Sequence, residues 1–475
     1  MANSALEERQ VAKGVREASQ QATGALGDSV AGRFQGTLFY PLTGASRANP
    51  RFALTLVFIA SAFVMSNDNA LKLGSISAAS LTSVAMLAVS IVEALAKGSF
   101  DPKPHPLQAP LFLIFIWASI SLMLSSLIPG KAFPAETYAL PWAVGINSPE
   151  YRGFSFLIRL FLSIFAIDFV ISALSDRKRI ATAINFAILL HATAVCFGLL
   201  QFILYAAAGV RLGSVITVPF LRIGGYVGEP QTYGLLLVTM TFPVIGAIRY
   251  GYEGCRYSKR TLKLILSLTA IALALTFSVS MILSVLSALL IFRKGVKGRT
   301  LVKAALFTGV IIYSFHEFVS SAITGKLISE ALTINSRTLT WKIGMEMIAD
   351  NLVTGVGIGQ SPLLTKAVSG SINLNFDSLD FEAFRVAILN SYIEWTAETG
   401  VIGLALLVFA GSRIYSLGKG MSSKESDFVR FSFGGSLVAL AISANSYGSI
   451  FYIGCFNLLI AMYVAGMMAF KNGKS

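Results

Sequence analysis

A chain of 475 residues that is 55% hydrophobic and only 13% charged, with a mean hydropathy of +0.69, cannot dress itself in the polar surface that a water-soluble domain needs. Lipid is therefore its expected solvent. The net charge of +14 would suit a nucleic-acid binder, but the basic residues gather in short loops between apolar runs, which is an orientation signal read by anionic headgroups.

In chain order, residues 1–50 lack the short apolar core and small-residue cleavage site of a signal peptide, and read as a partly helical cytoplasmic tail. A helix needs about 20 apolar residues to cross the hydrocarbon layer. By that measure spans are expected at 52–66, 76–96, 110–129, 153–174, 180–208, 231–248, 262–277, 279–292 and 301–320, then at 391–412, 431–446 and 450–470. The expected fold is thus an all-α integral membrane protein of about twelve transmembrane helices. The runs at 262–277 and 279–292 are short and nearly fused, and counting them as one would set neighbouring loops on inconsistent sides. With the N-terminus in the cytoplasm, 27 of the 38 Lys and Arg residues fall on that side. The loops Arg177-Lys178-Arg179, Arg256 to Lys263 and Arg293 to Arg299 are all included, as the positive-inside rule requires. Cys196 and Cys455 lie in spans and Cys255 in a cytoplasmic loop, so no disulfide and no zinc-type CxxC pattern is expected.

The expected plan is a tail at 1–50, helices 1–9 over 51–320, a periplasmic loop at 321–390, helices 10–12 over 391–470, and a cytoplasmic C-terminus at 471–475. A structureless loop of that length is uncommon unless it is functional. Within it Ser336 can cap a helix over Arg337 to Asp350, with Leu339, Trp341, Met345 and Ile348 along one face, lying on the membrane surface. Gly355, Gly357 and Gly359 then let the chain turn tightly. No strand precedes these glycines, so they do not form a dinucleotide-binding turn.

Arg152, Arg211, Arg222, Arg337 and Arg385 face the outer side in this topology, and Arg159 lies about two turns inside a span. An intramembrane Arg normally faces a bundle interior or a polar cavity, and the guanidinium fork matches phosphate. Snorkelling to headgroups competes with that reading, evenly for Arg152 and Arg211 and less for Arg222 and Arg337. Pro230 suits a first helical turn with Glu229 as its N-cap; equally, Glu229 could accept a proton from a sugar hydroxyl. Asp168 would pair with a polar group on a neighbouring helix, and His191 sits mid-span. The acidic residues Asp377, Asp380 and Glu382 lack the spacing of a metal-holding pair and read as a solvated loop face. Glu398 would cap or brace the helix beside Gly400.

Three segments carry a resemblance. They are Leu221-Arg222 through Gly228-Glu229-Pro230, Asn335-Ser336-Arg337 through Trp341 to Asp350-Asn351 and Gly355-Val356-Gly357-Ile358-Gly359, and Asn390-Ser391-Tyr392 through Glu394, Glu398-Thr399-Gly400 to Gly403-Leu404. Their order and spacing resemble the O-antigen ligase/polymerase family of bacterial membrane glycosyltransferases. The resemblance implies a GT-C-like fold in the inner membrane that moves a glycan from undecaprenyl pyrophosphate to an acceptor hydroxyl, with inversion and with no metal or other cofactor. It also implies that Arg222 and Arg337 hold the diphosphate. Arg159 and Arg385 would be secondary phosphate contacts, Asn390 and Tyr392 would lie at the substrate site, and Glu229 or His316 would be the base. Ligases of the family carry a histidine where this chain has Leu389, which favours a polymerase of lipid-linked repeat units (O-antigen, capsule or exopolysaccharide) over transfer to lipid A core. The implied partners are the lipid-linked donor and acceptor, the bilayer and a chain-length-regulating membrane protein. A transporter or flippase would need more ionisable residues in mid-membrane than Asp168 and His191.

Overall fold

The computed structural model describes residues 49–64, 72–73, 76–97, 104–127, 149–212, 215–216, 222–227, 229–292, 337–362, 364, 368, 388–419, 421, 423–446 and 454–471. The expected span 301–320, residues 1–48 of the tail and most of the 321–390 loop, with His316, Arg385, Asp377, Asp380 and Glu382, lie outside the described residues.

Among the described residues the fold is helical. In order come α1 (Pro50–Val64), α2 (Ala78–Lys97), α3 (Gln108–Leu127), α4 (Pro149–Ala173), α5 (Arg177–Ala208), α6 (Pro230–Tyr250), α7 (Lys259–Leu275) and α8 (Val279–Ile291). Then follow α9 over 337–350, α10 (Ser391–Leu417), α11 and α12 (Gly454–Lys471). Helix α11 consists of Lys424–Val429, a π turn Arg430–Gly434 and Gly435–Ser443. Five of these helices, α3, α4, α5, α6 and α10, are long and apolar enough to cross a membrane. Two short antiparallel hairpins, β1 (Lys72–Leu73) with β2 (Ile76–Ser77) and β3 (Val215–Ile216) with β4 (Arg222–Ile223), were not anticipated from the hydropathy. Pairs of two residues are too brief to leave a period-2 signal.

Helices α7 and α8 are separate and run in opposite directions, α7 packed on α6 and α8 on α11. Thr276, Phe277 and Ser278 break the chain, with Phe277 at φ 49°. Gly234, near the start of α6, sits against Met281 and Thr276. Phe292, just beyond α8, meets the Phe431 ring at 6.0 Å, and Phe431 also meets Tyr250, the last residue of α6. The turn at 276–278 and the end of α8 therefore lie at opposite ends of the bundle. These are called below the Gly400 end and the Arg177 end.

The core centres on α6, whose residues from Thr232 to Val244 are buried throughout. Buried helices in lipid must satisfy every backbone group internally, and α6 does so in a particular way. Pro243 has no N–H to give to the Thr239 carbonyl one turn back. The Ser436 hydroxyl of α11 fills the vacancy, donating to Thr239 O at 2.8 Å. Small residues let the two backbones approach, since a Cβ on Gly246 would strike Ser432 and one on Gly435 would strike Phe242. Replacing Ser436 with alanine should cost about 1 kcal/mol, read as a left-shifted unfolding curve in denaturing detergent; no shift would mean that another group satisfies Thr239.

The Arg177 end carries a polar cluster. Arg51 of α1 pairs with Glu93 of α2 at 2.6 Å and donates to Ser172 of α4. His105, just before α3, meets Asp168 of α4 at 2.6 Å. Asp168 was expected in mid-membrane with a partner on a neighbouring helix. It lies instead near this end, with a partner from the segment leading into α3. His191 is buried between α5 and α7 at 2.9 Å from the Thr269 hydroxyl. Because that hydroxyl donates to Ile265 O, the imidazole Nε2 is the donor in the pair.

Candidate functional site

At the Gly400 end the second and third motif segments interlock. Gly400 has φ 69° and ψ −175° inside α10, a left-handed, extended combination that interrupts the helical hydrogen-bond ladder. Several of the interrupted groups find substitutes in the segment from Leu352 to Gly357. Val401 N–H donates to Leu352 O, Val356 N–H to Ala397 O and Gly357 N–H to Glu398 O, at 2.9, 2.8 and 2.9 Å. Helix α3 completes the set. Trp117 Nε1 donates to Thr399 O at 2.7 Å, and Ser121 Oγ lies 2.9 Å from Glu398 O and 2.6 Å from Thr354 O.

The loop glycines are required by this contact. Gly355, Gly357 and Gly359 all have positive φ, at 70°, 101° and 74°. A Cβ on Gly355 would lie 2.3 Å from the Glu398 carbonyl carbon, and one on Gly400 would lie 2.0 Å from Val353 O. The two backbones thus touch where only glycine fits.

Beneath the loop lies a buried polar group. Glu398, at 2% exposure, accepts the Ser361 hydroxyl at 2.8 Å and the backbone N–H groups of Gly359 and Ser361. Brace rather than cap is therefore its role. Arg152, from the first turns of α4, donates through Nε to Gly359 O at 2.9 Å, with the carboxylates of Glu398 and Glu394 and the guanidinium of Arg159 as its charged neighbours. Arg152 and Arg159 stand 5.6 and 5.5 Å from the centre of the same Phe156 ring. Snorkelling, which shared even odds for Arg152, does not describe it, because its Nε is engaged on the loop. Arg211 is exposed and remains compatible with headgroup contact.

Helix α9 rests on the interlocked segments. Trp341 Nε1 donates to Leu389 O at 3.1 Å, and Ile343 and Met347 pack with Val356, Ile388 and Ala397. The inward face is Thr340, Ile343, Gly344 and Met347; Met345, expected on the apolar face, is 55% exposed. The difference arises because Gly344 meets Ile388 and Ile393 closely, so the small residue sets the contact line. Arg337 opens α9, where the helix dipole adds to its own charge and favours an anion. Ser336, the expected cap, lies outside the described residues.

The other expected site residues take structural duties as well. Asn390 caps α10, its Oδ1 accepting from Tyr392 and Ile393 N–H. The Tyr392 hydroxyl donates to Ala441 O near the end of α11 at 2.7 Å. Arg222, on β4, donates through Nε to Thr276 O at 3.0 Å, and so reaches the α7–α8 turn. Glu229 holds the N-cap position before Pro230, but it makes no side-chain bond to the helix backbone and instead accepts the Thr232 hydroxyl. Helix α8 packs on α11, and the α11 end packs on α10. Arg222, Tyr392, Asn390, Arg337 and Arg152 are therefore linked through contacts at one end of the bundle.

Arg152 carried even odds of snorkelling from the sequence, and nothing there singled out Ser361 or Trp117. The available signal was a Glu-Thr-Gly sequence inside an apolar run, which announces a broken helix whose exposed carbonyls need donors from elsewhere.

An all-α membrane protein whose discontinuous helix is plugged by a glycine-rich loop, with arginines around the break, is the class that fold and site define. Residues 264–408 match the family model described as O-antigen ligase, and the match supports placing the chain in the O-antigen ligase/polymerase family. It covers most of α7, α8, α9, the loop and the broken part of α10, and so takes in Arg337, Asn390, Tyr392, Glu394 and Glu398. No curated protein matches the chain significantly.

Proposed function

We propose that the protein is an inner-membrane polymerase joining undecaprenyl-pyrophosphate-linked oligosaccharide repeat units at the periplasmic face. The observation that supports this reading is that Arg152 and Arg159 lie beside the α10 break, while Arg222 at the α7–α8 turn and Arg337 at the head of α9 stand at the same end of the bundle. In an inverting, metal-independent transfer the acceptor hydroxyl oxygen bonds to the anomeric carbon as the bond to the diphosphate oxygen breaks. The electron pair leaves with the diphosphate, and the hydroxyl proton passes to a base. Without a metal, arginines must neutralise the departing charge. Arg222 and Arg337 are assigned to the diphosphate, with Arg159 and Arg385 as secondary contacts.

Glu229 is assigned as proton acceptor: it stands at the head of α6, a few residues beyond Arg222, and among the described residues its carboxylate accepts from the Thr232 hydroxyl, which can rotate away. His316 is the alternative base. Asn390 and Tyr392 shape the floor by fixing the start of α10.

Ligation to lipid A core is the second reading, favoured by the description of the matched family. Leu389 argues against it, because the ligases resembled here place an imidazole there, and the Leu389 backbone is engaged by Trp341. Replacing Arg337 with alanine is expected to abolish long-chain polymer, assayed as the surface polysaccharide ladder, with the protein still in the membrane. Wild-type chain lengths in that strain would overturn the assignment. A deletion strain should accumulate single repeats; full-length polymer left on its carrier would point to the ligase.

A further inference from the structure

At the Arg177 end, far from the break in α10, a cavity of about 300 Å³ opens between the start of α5, the α6–α7 turn, the start of α11 and the end of α12. Its wall mixes both signs of charge: Arg177, Lys178 and Lys424 against Glu253 and Glu425. Among the described residues none of these five forms an ion pair with another side chain. Arg177 instead lies over the Phe470 ring at 5.2 Å. Two helices begin here, α5 behind its cap Asp176 and α11 behind its cap Ser423, and their N-terminal dipoles add to the positive side. Tyr252 is stacked on Phe428 with centroids 4.5 Å apart. Burial pushes its hydroxyl up to about 12, so it stays a donor. A Cβ on Gly251 would meet nothing within 4 Å, which leaves the floor open.

A purely anionic ligand would face two uncompensated carboxylates here, and a purely cationic one would face three cations. We propose that the cavity binds the headgroup of a membrane aminophospholipid, its phosphodiester between Arg177, Lys178 and Lys424 and its ammonium against Glu253 and Glu425. The site lies at the ends of helices long enough to span the bilayer, where a headgroup sits.

The test is native mass spectrometry of the delipidated full-length protein in an equimolar mixture of phosphatidylethanolamine, phosphatidylglycerol and phosphatidylcholine. The expected result is a retained phosphatidylethanolamine adduct. It should fall about tenfold or more in Arg177→Ala/Lys424→Ala, since each lost cation near a headgroup costs about 1 kcal/mol. Glu253→Gln/Glu425→Gln should shift retention toward phosphatidylglycerol. Arg413→Ala, on the exposed face of α10, serves as control and should change nothing, and Lys424→Ala alone, at an exposed position, guards against misfolding of the double variant. Equal retention of the three lipids, an adduct unchanged in the variants, or displacement by millimolar inorganic phosphate would overturn the proposal. The last outcome would mark a soluble-anion site.

Discussion

Replacing Gly400 with alanine is expected to collapse the interlocked motif segments and to remove polymer altogether. A non-glycine residue at φ 69° costs about 1–3 kcal/mol in backbone strain. The new Cβ would also sit 2.0 Å from Val353 O, so the loop must move. Its movement would break the bonds from Val401 to Leu352 and from Val356 to Ala397, each worth about 1 kcal/mol, with further cost for the groups left unsatisfied in a water-poor interior. The sum exceeds about 3 kcal/mol, a large share of a typical stability. Gly355→Ala should behave alike, because its Cβ would meet the Glu398 carbonyl. Gly411 supplies the control. It lies in the same helix beyond the break, with nothing near its missing Cβ, so Gly411→Ala should be neutral or stabilise by about 0.5–1 kcal/mol. Melting of the purified protein in detergent separates the three variants; a Gly400→Ala protein that melts with the wild type would show that the loop does not depend on the break.

Removing the Arg152 guanidinium is expected to be nearly as damaging, by a different cause. Arg152→Ala removes a cation beside the buried Glu398 and Glu394 and the donor to Gly359 O, and leaving a buried polar group unsatisfied typically costs about 1–3 kcal/mol, more for a charged one. Neutralising the stranded carboxylate should return part of it. In a double-mutant cycle Arg152→Ala with Glu398→Gln should be less destabilised than the sum of the single changes by about 0.5–3 kcal/mol. Additive losses would mean that the two side chains do not interact. Ser361→Ala should cost less than Arg152→Ala, since it removes one hydrogen bond to Glu398 and leaves the charges in place.

Much of the helical plan was legible from hydropathy because a membrane span imposes a length and an apolarity that few other elements share. The glycine turn after α9 was legible for a similar reason: three glycines at alternate positions have no common use except a backbone that must visit positive φ. Of the face expected for α9, Leu339, Trp341 and Ile348 do pack inward, whereas Met345 is exposed and Ile343, Gly344 and Met347 make the deeper contact. Apolar side chains were counted as the contact, whereas the close approach is made by Gly344, and a glycine carries no hydropathy signal. Arg152 was harder still. Its sequence context, an arginine at the head of an apolar run, is the same for a snorkelling residue and for a buried one. What decides between them is a carboxylate more than 200 positions away in the chain, together with a carbonyl at Gly359 freed by positive φ. Asp168 was misplaced because hydropathy sets a span's limits loosely and could not reveal that His105 would reach it.

In the proposed mechanism arginines hold a lipid diphosphate while its glycan departs. Its most direct test is extension of a purified lipid-diphosphate-linked repeat unit by the protein in proteoliposomes, with chelator present, followed as a ladder of glycan lengths. The expected result is a ladder from the wild-type protein that is lost in Arg222→Ala and in Arg337→Ala, each protein reconstituted at the same level. A ladder that survives loss of both arginines, or one that appears only when divalent metal is added, would contradict it.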